Sequence, residues 1–204
     1  EGGWQDKRAL QGKLIDGRYH GLGIACFIEG GGSGPRENAR IEIDQEGVAV
    51  YVGSSSVGQG VETVFAQIAA DALELPMSQL RILHGSTTYL REGFGSFGSR
   101  ATVMGGSAVV VAANALLEKF RAAAAKHLDL APEKLVIAEG RATAPDGRHV
   151  TLTEFDGLSA DGTFANDSKA TYTYGTAIAH VAVDAKTGHV EVIDYVVVDD
   201  VGRI

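Results

Sequence analysis

The segment GVAVYVGSSSVGQGVETVFAQIAADALELP, residues 47–76, places a strand, a glycine-rich turn and a helix in succession, and it decides the fold class. Residues 47–52 are rich in valine, as is typical of a strand. From Val61 the apolar residues recur at i, i+3, i+4 and i+7. This spacing predicts an amphipathic helix that ends near Leu75-Pro76. The turn Gly53–Gly60 therefore leads from a strand into a helix N-terminus.

Further strands and a second long helix are predicted on both sides of this segment. Short apolar runs between turn residues indicate strands, and a long apolar run indicates a buried helix. The predicted elements are a buried strand at 21–28, a hairpin of 39–44 with 47–52, a strand at 80–83, a helix from Arg100 to His127, a small α/β stretch at 129–155, and a hairpin of 170–184 with 189–199. We assign the chain to the α+β class, with mixed and antiparallel strands and two long helices.

The domain organisation follows from the same pattern. Residues 1–19 are polar and glycine-rich and are interpreted as a lead-in, and residues 20–204 as one domain with a sub-boundary near 128–150. The strand pattern continues up to Ile204, so we expect this domain to be truncated at its C-terminus. The run 101–117 is too short to span a membrane as a helix, which favours a buried helix with an apolar patch that other domains cover.

Composition excludes several classes of function. The formal net charge of −8 and the absence of Lys/Arg runs argue against nucleic-acid binding. The single cysteine, Cys26, excludes an internal disulfide and is interpreted as an inert core residue. The six histidines lie far apart, so a metal held directly by protein side chains is not expected. Of these, His180 is interpreted as a hydrogen-bonded strand residue.

Two glycine-rich segments carry the functional hypothesis. Gly53–Gly60 and Gly93–Arg100 both lead into helices, where glycines and free backbone N–H groups can approach an anion. The alternative for each is an ordinary helix cap without a ligand, with Arg100 a solvated charge. Together they indicate two contact points for one extended anionic ligand. Glu29 and Glu37 flank another glycine turn, and a surface location is the commoner one for such carboxylates.

Four stretches of the chain together resemble the large, molybdenum-binding subunit of the xanthine dehydrogenase/aldehyde oxidase family. They are residues 21–29 (GLGIACFIE), 53–71 (GSSSVGQGVETVFAQIAAD), 95–106 (GSFGSRATVMGG) and 182–202. They occur in the family's order, and the pairing of the GQG turn with the FGSR loop is the most specific part. The resemblance implies a molybdenum cofactor-binding type of domain within an oxidoreductase that hydroxylates a substrate carbon with oxygen from water.

The resemblance also implies which residues would contact the cofactor. The metal is held by a pterin, in bacterial relatives usually the molybdopterin cytosine dinucleotide, and not directly by the protein. The matching positions are Gly58, Gln59 and Gly60 in the turn and Phe97, Gly98, Ser99 and Arg100 in the loop, with Glu29 near the substrate pocket. The family's catalytic glutamate is expected beyond Ile204.

The partners implied by the resemblance are the remainder of the large subunit, iron–sulfur and FAD subunits or domains, and a small-molecule substrate. Neither nucleic acid nor a membrane span is expected, and the location is taken as cytoplasmic, with the periplasm as the alternative. The 204 residues alone are expected to hold no cofactor and to show no turnover. The competing hypothesis is a cofactor-free module of the same fold that only packs against other subunits.

Overall fold

The computed structural model describes residues 3–166 and 171–202. The α-helices in this part of the chain are α1 Trp4–Arg8, α2 Val61–Leu73 and α3 Ser107–Leu128. The strands are β1 Leu14–Ile15, β2 Arg18–Gly31, β3 Arg36–Asp44, β4 Gly47–Val52, β5 Leu80–Leu83, β6 Val136–Ala138, β7 Arg141–Thr143, β8 His149–Thr151, β9 Ser159–Ala165, β10 Thr171–Asp184 and β11 Val190–Asp200. The predicted α+β class with mixed and antiparallel sheets and two long helices is confirmed.

The chain divides into two compact units. One consists of Glu1–Gly30 with Thr171–Ile204, and the other of Gly31–Ala170. This division differs from the predicted boundary after residue 19, because β1 pairs with β2 and the same sheet continues through β10 to β11. The two ends of the chain thus build one unit, and the lead-in forms α1 and β1 within it.

The unit Gly31–Ala170 is built on a four-stranded sheet in the order β5-β4-β3-β9. β3 and β4 form the predicted antiparallel hairpin, while β4 and β5 run parallel because α2 connects them. Helices α2 and α3 pack on each other, and α3 packs on β3 and β9. The apolar alternation of β3 is directed into this core, where Ile41 and Ile43 are fully buried.

Helix α3 begins with a π-helical turn, Ala101–Gly106, in place of the regular first turn that the sequence predicts. The glycines of this turn lie close to α2: a Cβ on Gly106 would lie 2.7 Å from the Cδ1 atom of Ile68. Ala101–Leu128 is the one helical stretch among residues 3–166 and 171–202 that is long and apolar enough to cross a membrane, with a mean hydropathy of 1.4. Its contacts with β3, β9 and α2 are those of a core helix.

The segment from Asp129 to Phe155 contains no α-helix, contrary to the small α/β stretch expected there. It forms the three-stranded antiparallel sheet β6-β7-β8, with short 3-10 turns at Pro132–Lys134 and Leu152–Glu154. The segment forms strands because the runs between its turn residues are too short for an α-helix of the usual length.

The other unit is a single sheet in the order β1-β2-β10-β11. The tail hairpin is confirmed, with β10 and β11 in antiparallel register from Tyr174↔Asp200 to Val183↔Val190. The expectation of a buried strand at 21–28 is wrong, because most of β2 is exposed. Cys26 on this strand is likewise exposed rather than a core residue, and its sulfur lies 3.2 Å from the Thr176 hydroxyl.

The large exposed apolar surface also lies on this sheet. The sequence predicts it on the helix α3, and that prediction is wrong. The core side of α3 is covered, and its exposed large apolar side chains are Val110 and Val111. On the sheet, exposed apolar side chains occur on β2, β10 and β11 and just after β11. They are Tyr19, Ile24, Phe27, Ile28, Tyr172, Tyr174, Val190, Val192, Ile193, Tyr195, Val197, Val198 and Val201.

Candidate functional site

The two glycine-rich segments singled out in the sequence lie side by side in the unit Gly31–Ala170. The amide of Gly95 donates to the carbonyl of Gly53 at 3.2 Å, and the hydroxyl of Ser96 donates to the carbonyl of Ser55 at 2.6 Å. The connection after β4 and the loop before α3 are therefore joined by hydrogen bonds. We call the two segments together, residues 53–60 and 93–100, the paired loops.

The close approach of the paired loops requires glycine at their point of contact. A Cβ on Gly93 would lie 2.6 Å from the Cα of Gly53, and one on Gly53 would lie 2.7 Å from the Cα of Gly93. Both clashes are with backbone, which cannot move aside as a flexible side chain can. These glycines are thus explained by packing between the loops, independently of any ligand.

The exposed part of the first loop precedes helix α2. Gly58 and Gly60 have φ angles of 94° and 75°, and Gly60 is the N-cap of α2 without a side-chain cap. The side chain of Gln59 accepts a hydrogen bond from the amide of Val57 at 2.6 Å, which closes the turn. Residues 57–60 are exposed, so the backbone of this turn is accessible to a ligand.

A carboxylate already lies at this helix entry. Glu62 in the first turn of α2 contacts the His84 ring at 3.0 Å. Its pKa lies below the ordinary value because its own backbone N–H donates to it, and His84 and Ser56 donate as well. Glu62 is therefore ionised at neutral pH, and its negative charge lies beside the positive end of the helix.

In the second loop Gly93 is exposed, and so is the segment Phe97, Gly98 and Ser99 before α3. Gly98 and Ser99 both have left-handed backbone, with φ angles of 52° and 51°. Their carbonyls accept hydrogen bonds from the amides of Ser33 and Gly32, at 3.3 Å and 3.1 Å. The carbonyls are thus bound to the turn before β3.

Arg100 lies beneath this loop and not on its surface. Its side chain is fully buried, and every guanidinium nitrogen donates within the protein. The Nε atom donates to the carbonyl of Ser33 at 2.7 Å, and the Nη atoms donate to Glu37 at 2.6 Å and to the carbonyls of Gly95 and Arg36 at 3.0 and 2.5 Å. The alternative that Arg100 is a solvated charge is wrong, because no donor is left facing solvent, while its assignment to the cofactor-binding loop stays a prediction.

The sequence pattern favours a surface location for Glu37, and this prediction is wrong. Its side chain is fully buried and pairs with Arg100. It also accepts hydrogen bonds from the amides of Asn38 and Phe94. The signal that could have found it is the alternation of β3, since Glu37 lies on the same face as the core residues Ala39 and Ile41.

The other candidates from the sequence lie in the unit that contains both ends of the chain. Glu29 is exposed on β2, and its assignment to a substrate pocket stays a prediction. His180 is buried, and its ring nitrogen lies 2.9 Å from that of His20, which confirms the interpretation of a hydrogen-bonded strand histidine. Within the described residues, no cluster of three or more His, Cys, Asp or Glu side chains could hold a metal ion.

This set of donors fits an anionic, oxygen-rich cofactor better than a bare metal. The exposed turns supply backbone N–H groups from Gly58, Gln59 and Gly60, and a helix N-terminus adds partial positive charge. These are the groups that bind phosphate and polar ring edges.

Comparison with known proteins gives a family match over the whole chain. The model of the molybdopterin cofactor-binding domain matches residues 1–204. The chain belongs to this family. The family match agrees with the resemblance carried by the GQG turn and the FGSR loop, and it places both paired loops inside a cofactor-binding domain.

Individual relatives are named as single chains of dehydrogenases. The chain is 32% identical over 207 residues to the gamma subunit of the 6-hydroxypseudooxynicotine dehydrogenase complex of Paenarthrobacter nicotinovorans, which covers 93% of this chain and 26% of that protein. It is 30% identical to the carbon monoxide dehydrogenase large chain of Afipia carboxidovorans, over 89% of this chain and 26% of that one.

A solved structure supports the same assignment. Quinoline 2-oxidoreductase from Pseudomonas putida 86 superposes with a TM-score of 0.74 at 32% identity, covering 97% of this chain and 28% of that chain. The chain spans about a quarter of the length of the relatives it matches.

Proposed function

We propose that the paired loops form one wall of the binding site for a molybdenum–molybdopterin cofactor in a molybdenum hydroxylase. The observation that carries the proposal is the joining of the GQG turn to the FGSR loop through Gly53 and Gly95, which leaves the exposed amides of both segments on neighbouring loops. The family match supports the class of cofactor. The cytosine dinucleotide form is the finer proposal, because its phosphates would use backbone donors of this kind.

The residues of this chain would bind and orient the cofactor. The amides of Gly58, Gln59 and Gly60 would bind an anionic part of it, and Phe97, Gly98 and Ser99 would line its other side. When bound, the cofactor supplies the oxidation chemistry that hydroxylates a substrate carbon with oxygen from water. The apolar ring of Phe97, which is 55% exposed, would then exclude water from the cofactor face.

The general base and the remaining cofactor contacts are proposed to lie in other parts of the enzyme. On this view electrons leave through iron–sulfur centres, and FAD where present, on partner domains or subunits, and the substrate is a small molecule. The 204 residues alone are proposed to be inactive, and the enzyme to be cytoplasmic. The names of the two relatives, a "subunit gamma" and a "large chain", support a multi-chain assembly.

The experiment uses Gln59 in the complete enzyme. Gln59→Glu retains an oxygen that can accept from the Val57 amide, so the turn stays closed, but it places a negative charge where the cofactor's anionic part would bind. We expect the molybdenum content per enzyme to fall about 10–100-fold, as for changes around other metal sites. Gln59→Ala should have a smaller effect, since it adds no charge.

The matched control is Gln67→Glu, an exposed position on α2 away from its N-terminus. It should leave the molybdenum content unchanged. Equal molybdenum and pterin content in the Gln59→Glu and wild-type enzymes would refute the site. A wild-type enzyme that contains neither molybdenum nor pterin would support the competing hypothesis of a cofactor-free module.

A further inference from the structure

We propose that Glu37 and Arg100 are positioning residues, whose buried ion pair holds the Phe97–Ser99 segment in its ligand-binding conformation. The inference rests on the proposed function for the identity of the ligand. The conformational part can be tested without the cofactor. Neither side chain would touch the cofactor, since both are fully buried.

Arg100 connects three separate segments of backbone. Its guanidinium donates to the carbonyls of Ser33 and Arg36 before and within β3, and to the carbonyl of Gly95 in the second loop. The planar group also lies between two aromatic rings, with its Cζ atom 5.4 Å from the centre of Phe94 and 5.2 Å from that of Phe97. The side chain at the end of the loop therefore fixes both the middle of the loop and the strand beneath it.

Glu37 supplies the charge that makes this arrangement stable. A buried guanidinium without a partner is strongly unfavourable, and Glu37 is the carboxylate in contact with it. The same carboxylate accepts the Phe94 amide at 3.2 Å and lies 3.5 Å from the Ser54 hydroxyl. Glu37 thus contacts both of the paired loops from the strand below them.

The Phe97–Ser99 segment, which this pair holds, has an unfavourable backbone conformation. Ser99 has a φ of 51°, a left-handed conformation that side chains other than glycine rarely adopt. A Cβ on the preceding Gly98 would lie 2.5 Å from the Ser33 hydroxyl, so the segment also lies tightly against Ser33. Such conformations persist where the surrounding contacts determine them, and they concentrate at ligand sites.

The charge of Arg100 is therefore used inside the protein and not on the ligand. Its partner carboxylate neutralises it, and its nitrogens are engaged by backbone carbonyls. What reaches the surface is the exposed Phe97–Ser99 segment. Loss of the pair should leave this segment present but mobile, with the amides no longer held in place for the cofactor.

The test uses two variants. Glu37→Leu with Arg100→Met replaces the buried pair by apolar side chains of similar volume, which such sites often tolerate in stability. Glu37→Gln alone is the second variant: it retains the size of the side chain and an oxygen that can accept from Arg100, but it removes the charge that neutralises the guanidinium. Hydrogen exchange on the cofactor-free form should show the amides of Gly32 and Ser33, which donate to the carbonyls of Ser99 and Gly98, exchanging at least about tenfold faster than in the wild type.

In the complete enzyme, the same variants should lower molybdenum retention by about 10–100-fold and change the paramagnetic resonance spectrum of the reduced metal. The control is Arg40→Met with Glu42→Leu, a half-buried pair on the same strand that contacts neither loop. It should alter neither measurement.

Unchanged exchange at Gly32 and Ser33 in a folded variant overturns the proposal, as does an unchanged metal spectrum with unchanged retention. If the double variant does not fold, the Glu37→Gln variant decides by the same two measurements. A fall in molybdenum for Gln59→Glu together with no effect of the Glu37 and Arg100 variants would refute this inference and leave the proposed function standing. A wild-type enzyme without pterin would refute the proposed function. The hydrogen-exchange measurement would still test whether the ion pair holds the Phe97–Ser99 segment.

Discussion

The carboxylate of Glu37 lies 2.6 Å from a guanidinium nitrogen of Arg100, and solvent reaches neither side chain. The two residues are separated by 63 positions in sequence, and between them lie both glycine-rich segments. A single buried ion pair therefore sets the distance between the strand β3 and the loop that leads into α3. The stability of the unit Gly31–Ala170 should depend on it.

Arg100→Met alone should destabilise the chain by about 3–5 kcal/mol, because it leaves the Glu37 carboxylate buried without its partner. Urea unfolding followed by circular dichroism measures this as a lower midpoint. The matched control is Arg36→Met, whose side chain pairs with Glu92 at the surface. That change should have little effect, since exposed pairs are screened by solvent. Equal midpoints for the two variants would contradict the importance of the buried pair.

Much of the paired-loop geometry can be predicted from the sequence. The change from period 2 to period 3.6 across residues 53–60 predicts the strand, the turn and α2, and the structure has β4 and α2 at those positions. Two glycine-rich helix entries were expected to contact one ligand, and the Gly95–Gly53 hydrogen bond joins them. These features follow from local periodicity, so they can be predicted without tertiary information.

Tertiary pairing explains the features that could not be predicted. The sheet that joins β2 to β10 connects residues about 150 positions apart, as in the Cys26–Thr176 contact, and no local pattern reveals it. The alternation of β3 could place Glu37 on the core face, but the sequence does not identify Arg100 as its partner. The apolar run at 21–28 was interpreted as buried because apolar strands usually are, whereas this sheet has exposed apolar side chains.

Gly162→Ala should destabilise the same unit by about 1–3 kcal/mol or more, because the helix α3 leaves no room for a side chain at this position of β9. A Cβ there would lie 2.5 Å from the carbonyl oxygen of Ala108 and 2.8 Å from the Cα of Ala112. Gly23→Ala in β2 is the control, since nothing lies within 4 Å of its added Cβ. Thermal unfolding of the two variants should separate them, and a neutral Gly162→Ala would show that α3 can shift away from the sheet.

The turn between β10 and β11 should contribute stability that depends on pH. Asp184 accepts hydrogen bonds from the amides of Thr187 and Lys186 at 2.7 and 2.9 Å. These bonds hold the pKa of Asp184 below its ordinary value of 3.8, and the bond from the Thr187 amide lowers it most. A group with a lowered folded-state pKa stabilises above its unfolded pKa, and the contribution disappears as the pH falls through the folded pKa.

Asp184→Ala should accordingly lower the unfolding midpoint at pH 7, and the difference from the wild type should shrink once the pH falls below 3.8. Urea midpoints over a series of pH values measure this. Asp156→Ala is the control, an exposed acid at the 3-10 turn before β9. A difference between the Asp184 variant and the wild type that is independent of pH would show that the carboxylate charge is not what stabilises the turn.

The 204-residue chain should associate through the exposed apolar end of the β1-β2-β10-β11 sheet. Phe27, Ile28, Tyr174, Val198 and Val201 line one open groove there, and Ile28 and Val198 are 74% and 71% exposed. Contiguous apolar surface of this kind is rare on monomers and mediates contact with other protein surfaces. Light scattering at increasing concentration should therefore show a mass above that of one chain.

Ile28→Lys with Val198→Lys should shift that equilibrium toward the monomer, because each lysine places a charge that association would have to desolvate. The control is Val136→Lys, which is equally apolar and 66% exposed in the wild type but lies on β6 in the other unit. It should leave the association unchanged. If the wild-type chain stays monomeric at about 100 μM, where contacts of even modest affinity are occupied, this surface is too small or too irregular to act as an interface.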